Sequence, residues 1–300
     1  MSDLQFPGSD AVEVVRSALD EDLGGPDGVD VTTSATIPAD QVSTAHVVAR
    51  AAGVLGGIPV VPLVFDEVAR RLGAQQVRTT LQRADGDQLV RGDVVASIEG
   101  STQVVLVGER TMLNIVCRLS GIATHTRRWA EQLEGTGATV LDTRKTTPGL
   151  RTLEKYAVRA GGGTNKRMGL YDVAMIKDNH KIAAGSLAKA YAAVRDRYPD
   201  VPVQVEVTTT AEALESVGVG ARFLLCDNMS VDLLRQTVEA VRATGEDVEL
   251  EATGGLTLDV AREYALTGVD YLSVGGLTHS SPILDLALDL VDQPRATFRP

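Results

Sequence analysis

Between Asp142 and Lys181 nine basic residues stand against four acidic ones, Asp142, Glu154, Asp172 and Asp178. In a chain whose net charge is -11 at pH 7, that cationic island suggests a small, highly anionic ligand held in a pocket. Arginine offers a planar fork that matches a carboxylate or phosphate, and lysine a point charge. Arg144, Lys145, Lys166, Arg167 and Lys177 are expected to face one cavity, where an anion or nearby acids must offset so many like charges. Arg151, Lys155 and Arg159, at helical spacing after Pro148, read instead as the solvated face of a helix that the run Gly161 to Gly163 stops.

Glu206 and Asp227 close two successive candidate strands, so their carboxylates could converge on one divalent ion, for which Mg²⁺ suits a polyphosphate substrate. Pairing with the nearby lysines is the alternative. Thr253-Gly254-Gly255 and Gly275-Gly276 end the last two candidate strands, where barrels commonly hold a phosphate between backbone N–H groups. His180 and His279 adjoin these loops, with binding and structural roles both open; His46 and His125 stand apart from any cluster. No His-x-x-x-His or Cys-x-x-Cys spacing suggests zinc, no Ser-centred elbow suggests a hydrolase, and the triple glycine lacks a Walker pattern.

Short β-branched runs must position these groups: 138–142, 173–177, 203–207, 222–227, 248–251 and 271–274. Helical patterns alternate with them, as in Leu187, Tyr191, Val194 and Tyr198, or in Leu234, Val238 and Val241 behind Ser230 as an N-cap. Six βα repeats imply a parallel sheet wound into a barrel, with chemistry at the strands' C-terminal ends. Before Thr139 the order is mixed. A helix carries Val12, Val15 and Leu19; a strand lies near Val42 to Arg50; a second helix carries Val64, Val68 and Leu72. A β-hairpin region with turns at Ala84–Asp87 and Arg91–Asp93 follows, then helical segments from Gly108 to Leu133, so a separate α+β domain is expected.

Three hundred residues suffice for about two domains, and 44% apolar with 23% charged residues excludes disordered and disulfide-scaffold classes. The longest apolar candidate, Val54 to Phe65, holds two glycines and two prolines and falls short of a membrane span. The acidic balance argues against nucleic acid or an anionic membrane as partner. With no secretory signal at the N-terminus and two distant cysteines, Cys117 and Cys226, that read as buried hydrophobes, a cytoplasmic location is expected.

Five runs carry a family likeness: Asp142-Thr-Arg-Lys-Thr-Thr-Pro-Gly-Leu-Arg151, Lys155-Tyr-Ala-Val-Arg159 with Gly161 to Gly163, Ile176-Lys-Asp-Asn-His180, Glu251-Ala-Thr-Gly-Gly255 and Ser273-Val-Gly-Gly-Leu-Thr-His-Ser280. Together with Ala18 to Leu23, Gly108 to Asn114 and Leu119 to Ala123, they resemble quinolinate phosphoribosyltransferase, also called carboxylating nicotinate-nucleotide pyrophosphorylase, over nearly the whole chain.

The resemblance implies a type II phosphoribosyltransferase fold of class α/β: an N-terminal α/β sandwich over 1–118, an incomplete parallel barrel over 119–282, and a tail, 283–300, that packs with the first domain. It implies a homodimer in which Arg110 reaches into the partner's site. Arg110, Arg144, Lys166, Arg167 and Lys177 would hold the two carboxylates of quinolinate. Lys145, Glu206 and Asp227 would serve phosphoribosyl pyrophosphate and its Mg²⁺, the latter two as metal ligands. Thr253, Gly254, Gly255, Gly275, Gly276 and His279 would take phosphates. Two departures from the family pattern stand out: Asn165-Lys166-Arg167, where the family usually reads Asn-His-Arg, and Gly275-Gly276, where it usually reads Gly-Ala. Lysine keeps a cation where histidine would be only partly charged. A paralogue acting on another pyridine carboxylic acid therefore stays open, as do a Schiff-base aldolase using Lys177 and a non-catalytic anion-binding relative.

Overall fold

The computed structural model describes residues 4–291. Along the chain run α1 (Gly8–Leu23), α2 (Val31–Thr36), β1 (Val42–Ala49), β2 (Gly53–Val54), α3 (Val60–Leu72), β3 (Arg78–Leu81), β4 (Gln88–Leu89), β5 (Val94–Ser101) and α4 (Thr102–Leu133). There follow β6 (Thr139–Leu141), α5 (Arg151–Ala160), β7 (Ala174–Ile176), α6 (Asp178–Ala184), α7 (Leu187–Arg197), β8 (Val203–Val207), α8 (Thr210–Gly218) and β9 (Phe223–Asp227). The last elements are α9 (Val231–Arg242), β10 (Glu249–Thr253), α10 (Ala261–Ala265), β11 (Tyr271–Ser273), α11 (Gly276–His279) and β12 (Leu286–Leu290).

Two compact units divide these elements. The first takes the described residues through His125, Thr147–Gly161 and the described residues from Ser281 onward; the second takes Thr126–Thr146 and Gly162–Ser280. Helix α4 thus contributes to both. Helix α5, placed above with the barrel segment, groups with the first unit. Of the tail expected to pack there, 292–300 lies outside the described residues.

In the first unit an antiparallel sheet is ordered β12-β1-β5-β3. Strand β1 buries Ala45, Val47 and Ala49 in alternation, the period of two that puts one face of a sheet on a core. Helix α1 buries Ala11, Val15 and Leu19, and α3 buries Val64, Phe65 and Val68. The turns at Ala84–Asp87 and Val90–Asp93 form as expected, with each aspartate carboxylate accepting from the N–H three residues back at 2.9 and 3.0 Å. They do not make a hairpin. Strand β4 pairs with β2 and β3 pairs with β5, so neighbours in sequence are not neighbours in the sheet.

The solvated face expected on α5 is not observed. Lys155 and Glu154 are buried, and Arg151 and Arg159 are half-buried. Glu154 accepts from Arg118 of α4 at 2.9 Å and from the backbone and hydroxyl of Thr147 at 3.0 and 2.8 Å. A buried carboxylate with this many donors is compensated, which is why charge at helical spacing did not mean exposure here.

In the second unit all six expected strands form one parallel sheet, ordered β6-β11-β10-β9-β8-β7. Strands β6 and β7 are its two edges, so the barrel is incomplete. Strand β8 is buried throughout, as a parallel strand covered on both faces requires. Hydroxyls of Ser186, Thr209 and Ser230 cap α7, α8 and α9, the last two where the chain passes from a strand into a helix.

Candidate active site

A cavity of about 480 Å³ opens at the C-terminal ends of the parallel strands. Its wall includes Arg144 and Lys145 after β6, Lys177 after β7, Glu206 on β8, Asp227 ending β9, and Thr253, Gly254 and Gly255 at the end of β10. Lys166 and Arg167 also line it. They come from no named strand. Thr164 forms a single parallel bridge to Leu141, which lays the segment Thr164–Arg167 along the open edge of β6. The buried Asp142 fixes that segment by accepting from the Asn165 amide at 2.6 Å and from the Lys166 backbone N–H at 2.8 Å.

The five cations expected to share one cavity do share it, and the structure shows how their charges coexist. Lys177 Nζ lies 2.5 Å from Glu206 Oε2. Lys166 Nζ lies 2.7 Å from one oxygen and 2.6 Å from the other of Glu251, a residue with no solvent exposure. Burial pulls the Lys166 ammonium below the ordinary lysine range, and Glu251 pulls it back up. No carboxylate lies within ion-pair distance of Arg144, Lys145 or Arg167 among the described residues. Arg167 donates to the Val173 carbonyl at 2.9 Å, and its pKa is lowered by burial and then by the neighbouring charge of Arg144. Arg144 Nε is buried without a hydrogen-bond partner among the described residues. Asp172 acts on Arg167 in the opposite sense, so two neighbouring guanidiniums line the cavity with no carboxylate of the described residues in ion-pair contact, an arrangement that can bind an anion.

Lys177 and Glu206 pair as the bland reading of the acids allowed. An ammonium held this closely by a carboxylate is an ion-pair partner, which weighs against the aldolase reading because a Schiff-base lysine must be a neutral amine. Asp227 accepts from the Asn228 amide at 2.9 Å. Glu206 and Asp227 are hard oxygen donors on adjacent strands facing the same cavity. No group of three or more potential metal ligands forms among the described residues. Two carboxylates suit Mg²⁺, which is typically held by one or two carboxylates and completed by water and substrate phosphates.

The glycines divide. Gly254 adopts φ +90°, and a Cβ there would fall 2.4 Å from Asn228 Oδ1, so both backbone and packing demand glycine. Gly275, Gly276 and His279 are outside the cavity lining. Gly275 instead lets Lys145 and His279 approach: a Cβ would stand 2.8 Å from Lys145 Cδ and 3.2 Å from His279 Nε2. Thr278 Oγ1 donates to the Lys145 carbonyl at 2.9 Å, tying this turn to the exposed lysine. His180 is structural: its Nδ1 accepts from the Lys177 backbone N–H at 3.0 Å. Arg110 is exposed on α4 in the first unit and lines a different depression of about 420 Å³ with Asn114, Cys117 and Arg118. Both cysteines are buried free thiols.

Asp142, Glu251 and Asn228 were not assigned roles from the sequence. Asp142 directly follows the apolar run of β6, and Glu251 shares its short run with the exposed Glu249, so residue type alone did not mark either as buried.

Family models match both parts of the chain: "Quinolinate phosphoribosyl transferase, N-terminal domain" over residues 30–120 and "Quinolinate phosphoribosyl transferase, C-terminal domain" over 122–289. The nicotinate-nucleotide pyrophosphorylase [carboxylating] of Mycobacterium leprae is 45% identical over 97% of this chain and 100% of its own length. A probable nicotinate-nucleotide pyrophosphorylase [carboxylating] of Bacillus subtilis is 41% identical over 90% of each chain. Among solved structures, NadC from Streptococcus pyogenes superposes with a TM-score of 0.87 at 35% identity, covering 96% of this chain and 99% of that one.

Proposed function

The chain belongs to the quinolinate phosphoribosyltransferase family, and from that premise we propose that its barrel cavity joins quinolinate to phosphoribosyl pyrophosphate in NAD biosynthesis. The products are nicotinate mononucleotide, pyrophosphate and CO₂. The observation that carries this reading is the pair Arg144 and Arg167, two neighbouring guanidiniums in the cavity with no carboxylate of the described residues within ion-pair distance, Asp172 acting on Arg167 only from farther off, while Lys166 and Lys177 are each paired with a glutamate. Two carboxylates on adjacent ring carbons supply the missing counter-charge.

The residues divide the work by position. Arg144, Lys166 and Arg167 bind and orient the diacid so that its ring nitrogen faces the ribosyl carbon. The C–N bond forms as the bond to pyrophosphate breaks, and positive charge gathers on the sugar. Glu206 and Asp227 favour that charge electrostatically and Lys145 stabilises the departing anion, while Lys177 helps Arg144 and Arg167 hold the carboxylates of the acid. Bound at Glu206 and Asp227, Mg²⁺ would add charge neutralisation for the pyrophosphate. After bond formation the carboxylate next to the nitrogen leaves as CO₂; the electron pair left on that ring carbon is stabilised by the adjacent quaternary nitrogen and is then taken up by a proton from solvent. Thr253 to Gly255, with the turn Gly275, Gly276 and His279 beside Lys145, we assign to the phosphates.

We further infer a homodimer in which Arg110, exposed and remote in sequence from the barrel loops, completes the partner's acid site. We also infer a cytoplasmic setting, in keeping with two buried free thiols; no helix among the described residues is long and apolar enough to cross a membrane. Incubation with quinolinate, phosphoribosyl pyrophosphate and Mg²⁺ should yield equimolar nucleotide and CO₂, with nicotinate a far poorer acceptor. Turnover of nicotinate without CO₂ release would overturn the reading in favour of another pyridine acid.

A further inference from the structure

Lys166 differs from the other cations of the cavity in being almost wholly buried. Its side chain keeps 7% of its exposure and Glu251 keeps none. Two oxygens grip one nitrogen, Asp142 pins the backbone N–H, and the ring of Phe223 lies 5.9 Å from Nζ. Phe223 in turn stacks on Tyr271 at 5.7 Å, so the ammonium sits in a rigid seat built from β9, β10 and β11. Such a seat is more than a neutral pair needs.

We propose that Glu251 is a positioning residue for the acid-binding wall: it keeps Lys166 in place and protonated, so that Lys166 offers the pyridine acid a fixed cationic hydrogen-bond donor. This rests on the function proposed above. The pair adds no net charge to the cavity, which leaves Arg144 and Arg167 to match the two carboxylates while Lys166 contributes direction. Without Glu251, burial and the like charges of Arg167 and Lys177 would act on the ammonium unopposed and lower its pKa further.

Lys177, paired with Glu206, faces the same cavity and is common to every variant compared below, so a shift between variants reports on Lys166. The Cys226 thiol on β9 and the Tyr271 phenol on β11 are each pushed up to about 12, the thiol by burial and the phenol by its hydrogen bond to Glu249. Arg167 stays cationic throughout.

Calorimetric titration of quinolinate into the full chain from pH 6 to pH 10 tests the proposal. Glu251→Gln should lower the midpoint of the alkaline loss of binding by about 1–3 pH units relative to the unaltered chain, the usual effect of an opposite charge at this range. Binding near pH 6 should be retained. Lys166→Arg cannot lose its proton, so Lys166→Arg and Lys166→Arg/Glu251→Gln should share one pH profile. An unchanged midpoint in Glu251→Gln, or different profiles for the two arginine variants, would overturn the proposal. Should Glu251→Gln fail to fold, Lys166→Arg read against the unaltered chain decides: its alkaline loss of binding should move to higher pH or vanish, and an unmoved midpoint would overturn the proposal. No binding by the unaltered chain would instead sink the function itself.

Discussion

Arg144 and Arg167 stand close enough for each to feel the other's charge, and no carboxylate of the described residues comes within ion-pair distance of either, Asp172 acting on Arg167 only from farther off. Replacing either with alanine removes a charge-assisted contact of about 1.5–3 kcal/mol, which converts to roughly 10- to 150-fold weaker quinolinate capture. Steady-state kinetics should show this mainly in KM, with the KM for phosphoribosyl pyrophosphate nearly unmoved; equal losses for both substrates would speak against a dedicated acid clamp. At this scale the sequence was partly legible. The five cations could be picked out because unlike-charged surroundings made them conspicuous. Their internal accounts could not: nothing in the spacing of Lys166 and Glu251, 85 residues apart, says that they meet at 2.6 Å. Gly254 was singled out as a phosphate turn; that its φ and the Asn228 side chain also demand glycine was not legible in the sequence.

Helices and strands were legible where a period announced them. Strand β8 and helix α9 came through almost unchanged because β-branched runs and a serine cap act locally. Pairing is non-local, which is why the hairpin expected at Asp87 became two strands with distant partners. Charged helix faces misled for the same reason, since Glu154 and Lys155 are buried by partners far off in sequence. Helix α3 shows a comparable buried acid. Glu67 is held at about 2 chiefly by its hydrogen bond to Arg70, and also by Arg71, whose guanidinium reaches Asp20 of α1 at 2.7 Å. A depressed carboxyl stabilises the fold above its unfolded value of 4.5, and that stability is lost as pH falls toward 2. Glu67→Gln should therefore cost on the order of 1–2 kcal/mol at pH 7, allowing for solvent screening around the exposed Arg70. Urea unfolding should find the gap between the two proteins narrowing between pH 4.5 and pH 3; a gap constant with pH would contradict it.

For the whole molecule, the βα rhythm from Thr139 onward announced a barrel. Its incompleteness, with β6 and β7 left as edges, came only from the resemblance. The division into units was harder to read, because α5 leaves the barrel sequence to pack with the first unit and returns at Gly162. That detour has a consequence for the site. The segment re-entering the second unit bridges to the open edge of β6 and carries Lys166 and Arg167 to the cavity, so an incomplete barrel gains a cationic wall where a closed one would have a paired strand. The most direct measurement is a crystal structure of the chain with quinolinate bound. Both carboxylates should lie within about 3 Å of the Arg144 and Arg167 guanidiniums, the distance of a charge-assisted hydrogen bond, with Lys166 still on Glu251. A diacid bound elsewhere, or one whose carboxylates both point away from those two arginines, would contradict the site.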